Sequence, residues 1–86
     1  MATVLFFHDV DDVDHWLSSP KRDEFFAPRG MTARTFVDPA GTNRVGVVVE
    51  VPDMAMLEEA MKSEEAAEAM KYDGVRLDTV VMLVES

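Results

Sequence analysis

Two histidines and a dense run of aspartates open the chemistry of this chain. His8, Asp9, Asp11, Asp12, Asp14 and His15 fall within eight positions of each other. His8 closes an apolar stretch, Thr3–Val10 (TVLFFHDV). A histidine there, neutral near pH 7, is suited to accept or relay a proton. The plain alternative is a structural histidine hydrogen-bonded at a strand end. His15 follows Asp11 by four positions and Asp12 by three. That spacing predicts at most an exposed ion pair of about 0.3–0.5 kcal/mol. The same run has ligand types for a metal but lacks the spacing. No His pair stands at i, i+4, and the glycine and terminal Glu of a calcium loop are missing. No metal is expected.

Further along, Arg34 and Glu50 occupy two strands of one predicted hairpin. Facing inward they form a buried pair or a carboxylate-recognising arginine, and facing outward an exposed cross-strand pair. Trp16, Phe25, Phe26 and Tyr72 stand on predicted helices, where aromatics are chiefly core. Trp16 and Phe26 are also placed to line a cavity mouth. Of the seven methionines, Met54, Met61 and Met70 suit packing of helix on sheet.

The elements that must position these residues are legible from local signals. Thr3–Val10 is a strand, and Asp11 or Asp12 caps a helix with Val13, Trp16 and Leu17 on one stripe. Ser19-Pro20 reads as an N-cap and first helical residue of a second piece, which runs to Phe26 and stops before Pro28 and Gly30. Met31–Val37 and Arg44–Val51 are strands joined by the turn residues Asp38–Asn43, an antiparallel hairpin. Asp53 caps a helix through Lys62, Ser63 caps another ending near Tyr72, and Gly74 terminates it. Val80–Val84 is the last strand. The order β-α-β-β-α-β predicts an α+β, ferredoxin-like fold with a four-stranded antiparallel sheet, residues 1–86 forming one domain.

Composition narrows the partners. The 86 residues include 17 acidic and 8 basic side chains, a net charge of −9, which disfavours nucleic acid and anionic membranes. Without cysteine there is no disulfide, thiolate metal site or cysteine nucleophile. No apolar run approaches ~18 residues, and Met1-Ala2-Thr3 has no basic n-region, so a cytoplasmic protein is expected.

The strands also predict a partner. Val4 and Phe6 take one parity of the first strand, and Leu5 and Phe7 the other. In the last strand Val81 and Leu83 oppose Val80, Met82 and Val84. Both sheet faces call for burial, yet this topology places helices on one only. A second copy of the same sheet covers the other, giving a homodimer. In the third strand Val45, Val47, Val49 and Val51 belong under the helices, whereas Arg44, Gly46, Val48 and Glu50 face away. The missing side chain at Gly46 leaves room for a cavity between paired sheets.

The run His8-Asp9-Val10-Asp11-Asp12-Val13-Asp14-His15-Trp16 resembles the "HxVxDyxxW" opening of small dimeric α+β-barrel proteins of the antibiotic-biosynthesis monooxygenase superfamily. Ser63–Met70 followed by Gly74-Val75 is similar to that group's second-helix ending. The resemblance implies a homodimeric α+β barrel. It spans cofactor-independent oxygenases, haem-degrading enzymes, isomerases, dehalogenases and members without known activity. Haem-degrading members carry an Asn, Trp and His set. Here no Asn falls in the first strand and Asn43 lies in the hairpin turn, so no haem and no other cofactor is expected. Fold alone does not assign the reaction.

Three functions follow as expectations. The first is binding of a small hydrophobic or aromatic metabolite between sheet and helices, using Phe6, Trp16, Phe26, Arg34, Phe36, Val48 and Glu50. The second is a cofactor-independent monooxygenase, isomerase or cyclase with His8 as the proton-transfer group and Arg34 stabilising anionic charge. The third is a dimerising module without a ligand.

Overall fold

A computed structural model describes residues 1–86. Its elements run β1 (Ala2–Asp9), α1 (Val13–Ser18), α2 (Lys21–Phe26), β2 (Thr32–Val37), β3 (Arg44–Val51), α3 (Met54–Met61), α4 (Glu64–Asp73) and β4 (Val81–Val84). Short 3₁₀ turns at Ala27–Arg29 and Leu77–Thr79, not foreseen from the sequence, lead into β2 and β4. The four strands form one antiparallel sheet in the order β2-β3-β1-β4, the ferredoxin-like arrangement.

Helix ends follow the predicted caps. The Asp12 carboxylate accepts from the His15 amide, Asp53 from the Ala55 amide and the Ser63 hydroxyl from the Ala66 amide. One boundary differs by a residue. Pro20 itself takes the N-cap position of α2, and Ser19 closes α1 while its hydroxyl accepts from the Lys21 amide at 3.2 Å. Gly74 ends α4 at φ 72°, a left-handed conformation that a side chain disfavours.

Register decides which residues share a face. β1 pairs with β3 through Val4↔Val49, Phe6↔Val47 and His8↔Val45. These six are buried beneath the helices, with Trp16, Phe25, Phe26 and Leu57 packed above them. Met54, Met61 and Met70 pack at the edge of this core, as expected of flexible thioethers. On the other face, Leu5↔Val48 and Leu5↔Leu83 join Phe7, Phe36 and Val81 in an apolar surface without a helix over it. Leu83 is 52% exposed and Phe36 50%.

Candidate functional site

Beneath the helices lies a pocket of about 90 Å³, open on one side to solvent. β1 supplies Phe6 and His8, α1 supplies Trp16, and α2 supplies Arg22, Phe25 and Phe26. Across from them, α3 and α4 contribute Met61, Met70 and Asp73. His8, Phe6 and Trp16 of the lining are buried, whereas Met61, Ala69 and Met70 are half-buried.

His8 is 7% exposed, and neither ring nitrogen has a hydrogen-bond partner in the chain. Its ring meets the Trp16 indole edge-on, centroids 5.9 Å apart at 76°. Burial holds its pKa below the ordinary histidine range, and Arg22 pushes it the same way against the opposing pull of Asp9 and Asp73. His8 is therefore a neutral base at physiological pH, free to accept one hydrogen bond and donate another.

Two more polar groups share the cavity. Arg22 Nη1 lies 3.9 Å from Asp73 Oδ2, and both side chains are almost wholly buried. Burial lowers the Arg22 pKa while Asp73 and Asp23 oppose the shift, and the guanidinium stays charged. These two residues were not singled out in the sequence. The available signal was slight: an arginine in the first turn of one helix and an aspartate in the last turn of another, each set against the helix dipole.

The predicted site residues divide between the two sheet faces. Phe6, His8, Trp16 and Phe26 meet in the cavity. Arg34, Phe36, Val48 and Glu50 do not line it. Arg34 and Phe36 stand opposite Val48 and Gly46 in the β2–β3 ladder, on the face away from the helices. Arg34 Nη2 lies 3.8 Å from a Glu50 oxygen, and Glu50 also accepts from the Thr3 hydroxyl at 2.8 Å. The expectation that Arg34 assists His8 is corrected on this ground: side chains of opposite parity leave a strand in opposite directions. The space beside His8 likewise lies between sheet and helices, not beside Gly46 on the open face.

The other candidates have local roles. The His15 ring nitrogen meets the Tyr72 carbonyl oxygen at 2.8 Å, and Asp11 pairs with Arg76 at 2.9 Å. His15 thus bridges α1 to α4 instead of pairing with its own helix. No three His, Asp or Glu side chains converge as metal ligands.

Sheet order and helices on one face define a ferredoxin-like α+β protein. It shares the fold of antibiotic-biosynthesis-monooxygenase-like proteins, in agreement with the resemblance of its opening segment. An antibiotic biosynthesis monooxygenase structure superposes with a TM-score of 0.68 at 15% identity, covering 100% of this chain and 97% of the other. A conserved protein of unknown function from Bacteroides thetaiotaomicron, described as a possible oxidoreductase, matches with a TM-score of 0.59 at 13% identity. That match covers 98% of this chain and 92% of the other. An ethyl tert-butyl ether d (EthD) family protein from Bacillus halodurans gives 0.55 at 16% identity, covering 100% and 98%. No family model and no curated protein matches the sequence. At these identities the likeness establishes the fold. No helix is long and apolar enough to cross a membrane.

Proposed function

We propose that the chain binds a small hydrophobic or aromatic metabolite between the sheet and the helices. The observation that carries this reading is an apolar cavity interrupted by only three polar side chains, His8, Arg22 and Asp73. Ligand pockets have that makeup, apolar walls with a few convergent polar groups. The volume of about 90 Å³ is below the ~150 Å³ of an engineered cavity that holds benzene. An aromatic ring therefore enters as the flexible Met61 and Met70 move aside.

The test is titration with toluene, followed by amide NMR shifts. Shifts centred on Phe6, His8 and Trp16, lost in Ala69→Phe, support the site. Absence of binding, or shifts confined to the open sheet face, would sink it.

A second reading is proton transfer by His8, as a cofactor-independent monooxygenase, isomerase or cyclase requires. It is favoured by the two unpartnered ring nitrogens in an apolar pocket. His8→Gln, which keeps most of the volume, would then abolish turnover of a substrate while leaving its binding within a few-fold. Retained turnover would remove His8 from the chemistry.

The open face supports a homodimer. Leu5, Phe7, Phe36, Val48, Val81 and Leu83 form an apolar surface of the kind that pairs with a second copy about a two-fold axis. Arg34 and Glu50 then flank the interface, and the gap at Gly46 falls within it.

A further inference from the structure

One corner of the cavity holds two charges whose placement serves neither of their helices. Arg22 lies in the first turn of α2 and Asp73 in the last turn of α4, where the backbone dipole favours the opposite sign in each case. Their side chains are only 10% and 7% exposed. The 3.9 Å between Arg22 Nη1 and Asp73 Oδ2 is an ion-pair distance but too long for a hydrogen bond. Arg22 Nη1 and Asp73 Oδ1 have no hydrogen-bond partner in the chain.

Stability does not account for this arrangement. A buried donor and acceptor left unpaired oppose folding, and buried ion pairs are often replaced by apolar side chains without loss. Nor is Arg22 loosely held. Its guanidinium stacks on Trp16 and its Nη2 donates to the Trp16 carbonyl, which leaves Nη1 as the free donor.

We propose that Arg22 and Asp73 together form the polar subsite of the pocket. They select a neutral ligand group carrying a hydrogen-bond acceptor and donor side by side, of the primary-amide type. The proposal rests on the pocket being a ligand site. The acceptor takes the Arg22 Nη1 proton, and the donor is received by Asp73 Oδ1. A carboxylate satisfies Arg22 but sets a second negative charge against Asp73. An ammonium group does the reverse, and an apolar group leaves both unpaired.

The test compares toluene, benzamide and benzoate, one ring with apolar, neutral bifunctional and anionic substituents, titrated into the full chain near neutral pH. Benzamide is expected to bind about tenfold more tightly than either of the others. In Asp73→Asn the arginine charge is uncompensated, and preference moves to benzoate. The double variant Arg22→Met, Asp73→Leu replaces the pair by apolar side chains and carries the test if the single variant fails to fold. There toluene binding persists and the benzamide preference disappears. Benzoate binding as well as benzamide in the wild type, or an unchanged preference in the double variant, would overturn the subsite while toluene binding preserved the pocket. Failure of all three probes would overturn both.

Discussion

The guanidinium of Arg22 lies over the indole of Trp16, 4.2 Å from the ring centre, and its Nη2 donates to the carbonyl of the same residue at 3.2 Å. One side chain thus ties the first turn of α2 to α1 and fixes the wall of the cavity. Trp16 is 1% exposed, so the stacking surface is itself part of the core.

Lysine cannot replace that contact, because an ammonium lacks the planar face and the fork of donors. Arg22→Lys is expected to lower stability by about 1–2 kcal/mol, measured as a urea midpoint shift at constant m-value. An unchanged midpoint would mean that the stack contributes nothing.

His8 makes stability depend on pH in a defined direction. Burial depresses its folded pKa, so the unfolded chain takes up a proton near the ordinary value of about 6.5 while the folded chain resists. The contribution is whole above that value and is lost as pH falls through it toward the folded pKa. The urea midpoint should fall between about pH 7 and pH 5, and less steeply in His8→Gln. Equal slopes in the two proteins would show that His8 is not the group responsible.

Charging the open sheet face tests the dimer. Val48 pairs with Leu5 and Arg34 at the centre of that face. Val48→Asp should give monomers or aggregates by light scattering, since drawing a carboxylate into an apolar interface opposes association even with Arg34 opposite it. A wild-type chain that is monomeric, or a variant of unchanged dimeric mass, would exclude this interface.

Gly74 holds the end of α4, and with it Asp73. Its φ of 72° disfavours a side chain, and an added Cβ would stand 3.3 Å from the Asp11 Cβ. Gly74→Ala is expected to cost about 1 kcal/mol or more in thermal or urea unfolding. The Gly74 carbonyl also accepts from the Asp11 amide at 3.0 Å, a bond that any shift of this turn would strain. A neutral substitution would show that the segment relaxes freely.

Much of the fold was legible because its signals are local. Asp12, Asp53, Ser63 and Gly74 mark helix ends through bonds to residues two to four positions away, and the valines at alternate positions of β3 declare their buried face. Phe6, Trp16 and Phe26 line the pocket because large apolar side chains on these elements have few other places to go. Arg34 and Glu50 were assigned to the same pocket because parity within β2 and β3 does not reveal how β1, a distant segment, is registered against them. The pairing His8↔Val45 settles it, placing His8 with the buried valines and Arg34 on the opposite side.

By itself, then, the sequence determined the order of elements, their caps, the acidic surface and the absence of cysteine chemistry, all properties carried by neighbouring residues or by composition. The tertiary structure alone decided the site. Packing of α2 against α4 brings Arg22 to Asp73, and pairing of β1 with β3 turns His8 toward both. Those encounters join residues far apart in the chain, and they depend on register and helix packing, which no local pattern encodes.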